Sequence, residues 1–565
     1  MELDRRDFLK GAALAGGTVA LAGLAGCTSS GTGTAGSTSA AKGGTLYTAY
    51  PNPDGIGTVH DTSNQETADV VVVGSGVTGL SCSMLIAEQA PDAKVLLIDK
   101  MPSPGGNTNF AEINAPDLGM PWDEALAAGI KMSNSQMGLT DAYLYANFYY
   151  DKGRMSTWYF TKHGVELASD NFHHKGWAGA SAVQNLVGQI GSDEAYRNLE
   201  LRVGTQAIAL LMDDDHTCTG IQVKDASSGI YTNINAKAVM LATGGMGTNK
   251  ELLSYYTGQD VAEKGTEYGQ GQDGDGHLMV EYTAHGQSKN VDPTSGWILV
   301  KGMDMSSPLN CAAAMQAANV FVNQTGTRFN NEDYSLAGPL TNGHNIRQQG
   351  KVFSIMGKGL IDYFQAGGSD HAGFYYYQTP TDLTGELGTI SSNPNVIQAN
   401  TFEALAQLVG VPVDAFVDEM AVYDADAKAD TGDSKFGKDA KYMVPFGDGP
   451  YYAFDCSAVP VIQTNNGIRI NTDCQVVDPY YVPIVGLYAG GIAVSGFNTC
   501  MLNLGTSQSV GLWSGCKAAR AIVENDLGGA VADDWFGDKE YDGPMPDFAH
   551  MELNKPLPGA SDLAI

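Results

Sequence analysis

Six consecutive residues, Gly74-Ser75-Gly76-Val77-Thr78-Gly79, carry the first chemistry legible in this chain. Glycine at the first position permits a tight turn, and at the second it lets backbone approach a pyrophosphate. At the sixth it lets a helix pack close against a strand. A helix that begins there presents free N–H groups and the positive end of its dipole to phosphate oxygens. Asp99 follows twenty residues after Gly79, where a carboxylate can accept from ribose hydroxyls. The elements needed to position these residues are present in order. Ala68-Asp69 leads into Val70-Val71-Val72-Val73, a short β-branched run suited to a buried parallel strand. A helical stretch from Leu80 to Gln89 follows, and a second strand from Lys94 to Ile98 delivers Asp99. A lone glycine-rich turn means little; strand, turn, helix, strand and acid in sequence form a dinucleotide-binding unit.

At 565 residues the chain holds one large or two ordinary domains, with 63 Asp and Glu against 32 Lys and Arg. That acidic excess, with no basic patch carrying interleaved aromatics, argues against a nucleic-acid partner. The N-terminus reads as an address. Arg5-Arg6 precedes Phe8-Leu9, and Gly11 to Gly26 form a weakly hydrophobic run too short to span a bilayer. This is the pattern of twin-arginine export, which carries folded proteins and therefore suits one that folds around its cofactor. Leu24-Ala25-Gly26-Cys27 resembles a lipobox, so residues 1–27 are expected to be a signal ending in a lipidated Cys27. That places the chain on the outer face of the cytoplasmic membrane. Residues 28 to about 44 are nearly all Ser, Thr, Gly and Ala, and a flexible tether is expected over 28–65. None of the eight cysteines forms a CxxC, and no CxxCH marks a haem, so no metal site is expected and the thiols read as buried small hydrophobes.

Asp99-Lys100 followed by Gly105-Gly106-Asn107-Thr108 resembles the "EK…GGNT" segment of flavoproteins in the fumarate reductase and 3-ketosteroid dehydrogenase family. Ala242-Thr243-Gly244-Gly245-Met246 is similar to that family's "ATGG" stretch, and Gly274-Asp275-Gly276 to its "GDG" turn. Gly486 to Gly491 is similar to its "GLYAxGE" strand, which is followed here by a helix from Leu504 to about Glu524. The resemblance covers roughly residues 66 to 525. It implies an α/β fold: a Rossmann-like FAD-binding domain of the glutathione-reductase type with an inserted α+β capping domain. The expected boundaries are 66–289 and 461–526 for the FAD domain, 290–460 for the cap and 527–565 for a C-terminal extension. Non-covalent FAD would be held by Gly74, Ser75, Gly76, Val77, Thr78, Gly79, Asp99, Lys100, Gly105, Gly106, Asn107 and Thr108. Further contacts would come from Ala207 through main-chain atoms, Thr243, Gly244, Gly245, Asp275, Gly490, Gly491, Gly505, Ser507, Gln508 and Ser509. The last helix would aim its N-terminus at the flavin pyrimidine, stabilising negative charge on reduction.

Where the family reacts with substrate, this sequence departs. Val322 to Tyr334 resembles the "vNxxGxRFvNE" signature, but the arginine that protonates fumarate would fall at Leu336. Arg328 matches the scaffold arginine of the motif, and Glu332 is read as structural. The "HPT" segment appears as Asp292-Pro293-Thr294, "HTMGG" as Gln463-Thr464-Asn465-Asn466-Gly467, and the clamping arginine of "NRLGG" as Asn503. Amides replace the cations that hold dicarboxylates, and a buried carboxylate without a cation is heavily penalised. The expected substrate is therefore a neutral aromatic or polycyclic small molecule with an activated C=C bond. Gln463 and Asn503 would donate to its carbonyl, Tyr334 would donate a proton, and Asp292 would serve a relay. Phe374-Tyr375-Tyr376-Tyr377 reads as core packing ahead of an aromatic pocket. Electrons would come from a membrane quinol-linked or cytochrome donor, in an anaerobic respiration. The rival readings are a dehydrogenase introducing a C=C bond and a non-catalytic flavin electron carrier.

Overall fold

The structure is a computed structural model that describes residue 52 and residues 55–531. Excepted are 112–117, 136–139, 170, 172, 258–270, 296–297, 304–306, 334–344, 368–381, 391, 459–460 and 498–505; residues 542–543 are described as well. All of these belong to the compact unit Leu46–Ile565. The signal, Cys27 and the Ser/Thr/Gly/Ala run lie outside the described residues.

β-Branched runs form the central layer. After a short β1 (Gln65–Thr67) come β2 (Val70–Val73), helix α1 (Val77–Gln89) and β3 (Val95–Ile98), with Val70 opposite Val95 in parallel register. Every residue of β2 and β3 is buried, as a strand covered on both faces requires. Helices α2 (Trp122–Ser135), α3 (Ala142–Ser156) and α4 (Ala180–Ser192) precede β4 (Leu199–Arg202), which extends the sheet beside β3. Three antiparallel strands follow, β5 (Thr205–Met212), β6 (Cys218–Asp225) and β7 (Tyr231–Asn235), and β1 joins β7 to complete a second sheet. Then β8 (Ala238–Leu241) returns to pair with β2, and α5 (Lys250–Thr257) and α6 (Asp275–Tyr282) lead away.

The middle of the chain builds a separate core. Strand β9 (Ser288–Ser295) and α7 (Pro308–Ala314) are followed by β10 (Phe321–Asn323), β11 (Val352–Met356), α8 (Lys358–Gly367) and α9 (Leu383–Thr389). Strand β12 (Val396–Ala399), α10 (Phe402–Val409), α11 (Val413–Ala429) and β13 (Tyr451–Asp455) complete it. The four strands β10-β11-β13-β12 make an antiparallel sheet against which Phe321, Phe364, Phe416 and Met420 are buried. Local chemistry sets the helix ends: Ser307 and Thr401 cap α7 and α10 through their hydroxyls, and Gly410 closes α10 in the left-handed region.

Strand β14 (Val461–Ile468) then pairs antiparallel with β9, β15 (Gln475–Val477) and β16 (Pro483–Ala489) rejoin the first core, and α12 (Thr506–Asn525) ends the described fold. The main sheet runs β15-β16-β8-β2-β3-β4, parallel except at β15. Helices α1 and α12 cross at near backbone contact: a Cβ on Gly515 would stand 2.3 Å from the Thr78 carbonyl oxygen. The α/β class expected from sequence is the one observed. Two local expectations need correction. The first helix starts at Val77, three residues before Leu80, because the turn itself supplies its first residues. The tether does not extend to 65: Ile56 is buried and the Gly57 amide donates to the Ile208 carbonyl at 2.6 Å, fastening this segment to β5.

Candidate functional site

The β2–α1 turn is built as its glycines demand. Gly74 adopts φ +102°, and a Cβ there would stand 2.3 Å from the Ala242 carbonyl oxygen. A Cβ on Gly79 would stand 1.7 Å from the Gly74 carbonyl oxygen, so helix and turn touch through backbone alone. The helix's own bonding begins with Leu80 donating to Gly76 at 2.9 Å, and N-cap Gly76 offers no side chain. The amides ahead of that bond must look elsewhere. Ser75 N donates to Asp99 Oδ2 at 2.8 Å and Val77 N to Thr108 Oγ1 at 2.9 Å. Those of Gly76, Thr78 and Gly79 meet no acceptor among the described residues, which leaves an anion cradle at the helix N-terminus. The segment from Gly105 (φ +114°) to Thr108 closes over it, Gly105 N donating to Ser75 Oγ at 3.1 Å. Asp99 does more than the sequence suggested. Its Oδ2 also accepts from Ser75 Oγ at 2.5 Å and its Oδ1 from Met101 N at 2.8 Å, so it pins the turn and keeps capacity on Oδ1 for a hydroxyl.

Lys100 pairs with Asp273 at 2.6 Å and with Asp275 at 3.0 Å, and Gln206 Nε2 donates to Asp275 at 3.2 Å. Burial opposes the charge on Lys100, but the two carboxylates hold its pKa above the ordinary lysine value. This cluster ties the end of β3 to β5, beside buried Ala207, and to the start of α6. Gly276 is needed there because a Cβ would lie 2.2 Å from Thr243 Oγ1. The Gly244-Gly245 turn is fixed from the other core's return strand: Met246 N donates to the buried Thr464 Oγ1 at 3.0 Å. Gly490 and Gly491 sit where α1 meets α12, Gly491 N donating to Ser514 Oγ at 2.8 Å. Ser509 follows in the first turn of α12. His277 is fully buried, and burial pushes its pKa down to about 4, so it is neutral.

Five buried polar groups of this neighbourhood meet no protein partner among the described residues: Thr243 Oγ1, both ends of the Gln272 amide, Ser507 Oγ and Gln508 Nε2. Such orphans are uncommon in native interiors. Their concentration beside the open amides of α1 and the first turn of α12 fits a large polar cofactor, and a dinucleotide carrying a flavin has the donors and acceptors to match. Asp273, Gln272, Thr464 and Ser514 escaped the sequence reading, because their placement depends on contacts with distant segments and no local pattern announces them.

The positions expected to face substrate are placed less completely. In the β9–β14 ladder Gln463 pairs with Thr294 and Asn465 with Asp292, with irregularities between Val461 and Gln463 and between Asn465 and Gly467. The ladder thus brings the Asp292 and Gln463 positions within two residue steps on adjoining strands. Tyr334, Leu336, Phe374 to Tyr377, Asn503 and Gly505 lie outside the described residues. Glu332 is structural in the strict sense. It is fully buried, accepts from Phe321 N at 3.0 Å, and pairs with Arg328 at 2.7 Å and Lys438 at 3.0 Å. Arg328 also pairs with Asp433 at 2.9 Å and lies over the rings of Tyr423 and Phe436. Six of the cysteines are free and buried, and no group of three or more His, Cys, Asp or Glu among the described residues suits a metal ion. No helix among the described residues is long and apolar enough to cross a membrane.

A parallel sheet with a phosphate cradle at its first helix, a second segment closing over it, and a separate antiparallel core suit an FAD-dependent oxidoreductase, and the family comparison shows one. The chain belongs to the FAD binding domain family, which it matches over residues 69–507. Residues 2–22 match the twin-arginine translocation signal sequence, so the chain is addressed to the twin-arginine route. It is 27% identical over 504 residues to a vinyl phenol reductase of Lactiplantibacillus plantarum, covering 82% of this chain and 97% of the relative. It is also 27% identical to a fumarate reductase (cytochrome) of Shewanella frigidimarina, covering 76% and 72%. Among solved structures, a 3-ketosteroid-Δ4-(5α)-dehydrogenase from Rhodococcus jostii shares the fold, with TM-score 0.59 and 20% identity over 82% of this chain and 97% of that one.

Proposed function

We propose that this chain reduces the activated C=C bond of a neutral aromatic or polycyclic enone, enoate ester or vinyl compound on the outer face of the cytoplasmic membrane. The observation that carries the reading is that amides stand where a dicarboxylate would need cations, while two buried cations of the second core are already paired. Arg328 and Lys438 are buried and already neutralised by Glu332 and Asp433, while amides occupy positions 463 and 503. A dicarboxylate brought into such a site would leave charge uncompensated. An uncharged carbonyl or phenol asks only for hydrogen bonds. The likeness to a reductase of vinyl phenols, over nearly that relative's whole length, supports the same substrate class.

FAD, when bound, supplies the hydride. The 290–460 segment acts as the substrate cap, and the β9–β14 ladder, tied to the Gly244-Gly245 turn through Thr464, sets the distance between cap and cofactor. Gln463 and Asn503 donate to the substrate oxygen and draw charge toward it as the bond is reduced. Tyr334 gives the proton to the second carbon, and Asp292 returns one to Tyr334. Electrons arrive from a quinol-linked or cytochrome donor, and a lipid on Cys27 keeps the chain beside it.

The test is turnover of the mature, FAD-loaded chain with a reduced viologen dye as donor, offering 4-vinylphenol, a neutral aryl enone and fumarate. Dye oxidation with the neutral compounds, and a product heavier by one H2, is the expected result. Oxidation with fumarate alone would overturn the substrate class and direct attention to Arg347, also buried in the second core.

A further inference from the structure

Gln272 stands one residue after Gly271 and ahead of the Asp273-Gly274-Asp275 turn. It is 3% exposed, and neither the oxygen nor the nitrogen of its amide has a partner among the described residues. A Cβ added to Gly245 would lie 3.3 Å from Gln272 Oε1, and one added to Gly244 would lie 3.5 Å from its Cγ. The amide therefore rests against the two-glycine turn, in the neighbourhood of Thr243 Oγ1. Burying an amide with both ends unsatisfied is among the costlier things a sequence can do, whereas Leu or Met would fill the volume at no such cost. Gln206, Asp273 and Asp275 show that neighbouring polar side chains do find protein partners. The exception at Gln272 calls for a partner that is not protein.

We propose that the Gln272 amide is a ligand of FAD, donating through Nε2 and accepting through Oε1. Its partner must offer a donor and an acceptor side by side, which excludes the pyrophosphate, since phosphate oxygens satisfy only the NH2 end. Three kinds of group in FAD meet the requirement: the imide edge of the isoalloxazine, with N3–H beside C4=O, the ribityl and ribose hydroxyls, and the adenine edge, with N6–H2 beside a ring nitrogen. The turn keeps this space open: a Cβ on Gly245 would stand 2.1 Å from Thr464 Oγ1 as well as 3.3 Å from Gln272 Oε1, and Gly244 adopts φ +72°.

The experiment is Gln272→Leu and Gln272→Ala in the full mature chain, with two readouts that separate a cofactor ligand from a structural residue. If the amide serves FAD, its removal relieves the apoprotein of two buried orphans. The apoprotein melting temperature then holds or rises, while the Kd for FAD, from quenching of its fluorescence, rises by about tenfold or more, the effect of losing a hydrogen bond or two. With the imide edge as partner, the variants also shift the visible flavin band and the midpoint potential. With a sugar hydroxyl or the adenine as partner, affinity falls and both stay put. An unchanged Kd, or a melting temperature that falls as much in apoprotein as in holoprotein, would overturn the assignment. Should the leucine variant fail to fold, alanine leaves space, and its binding data carry the same decision.

Discussion

Gly79→Ala is the sharpest perturbation available, because the structure fixes its size. The new methyl would be placed 1.7 Å from the Gly74 carbonyl oxygen, whereas real Cβ atoms essentially never come within 3.0 Å of another atom. Turn and helix must therefore part by upwards of about 1 Å. Helix α1 has nowhere to retreat, since its far side meets Gly511 and Gly515 of α12 at Val77, Thr78 and Ser81. Both clashing partners are backbone, so no rotamer relieves them. Overpacking of this kind costs about 1–3 kcal/mol, and more where neighbours cannot move. The same displacement moves the open amides of Gly76 and Thr78 off their aim. A loss of about 3 kcal/mol in the cradle corresponds to a Kd for FAD weakened by more than ~100-fold. Gly188→Ala is the control: it is exposed in α4 with nothing within 4 Å of the added Cβ, and it should stabilise by about 0.5–1 kcal/mol. Fluorescence titration of apoprotein with FAD, together with thermal melts, reads both. If Gly79→Ala binds FAD within twofold of the parent and melts with it, the cradle is wrongly described.

Other consequences can be checked alongside. Glu332→Ala strands Arg328 and Lys438 in a buried site and should cost about 3–5 kcal/mol by denaturant unfolding; a loss under about 1 kcal/mol would mean the cluster is solvated. His277 has a folded pKa near 4 against 6.5 for the free group, because burial disfavours its charge. The unfolded chain takes up that proton first, so stability is present above pH 6.5 and drains as pH falls toward 4. Integrated over that window the loss is about 3 kcal/mol, and His277→Gln should flatten it; an unchanged acid slope in the variant would exonerate the histidine. Cys27→Ser should move exported protein from the membrane pellet to the supernatant, and an unmoved pellet fraction would remove the lipid anchor from the account.

The parts legible in the sequence are those whose information is local. The β2–α1–β3 unit could be read because its strand is a continuous valine run, its turn needs glycine at fixed offsets, and Asp99 lies at the end of the next strand. The likeness of Ala242 to Gly247 and Gly486 to Gly491 likewise rests on backbone that glycine alone can form. What escaped was long-range. The hydroxyl of Thr464 acts on Met246 more than two hundred residues away, and Ser514 on Gly491 becomes visible only once α12 lies beside the turn. In sequence Asp99 reads as a ribose ligand, and its second duty to Ser75 and Met101 follows from a fold that brings the loop over it. Gln272 offered no signal in the sequence, since an amide two residues ahead of a turn glycine is commonplace; burial and the absence of a partner among the described residues single it out.

On the proposed function, the reduced flavin of this chain hands its electrons to an uncharged C=C bond. The direct measurement is a single turnover without oxygen: the FAD-loaded mature chain is reduced stoichiometrically, mixed with 4-vinylphenol or an aryl enone, and followed at the visible band of oxidised flavin. The expected result is rapid return of the band with a neutral compound, saturating with its concentration, and none with fumarate. A band that returns with fumarate alone, or stays bleached with every C=C compound while the reduced product bleaches the oxidised protein, would contradict it.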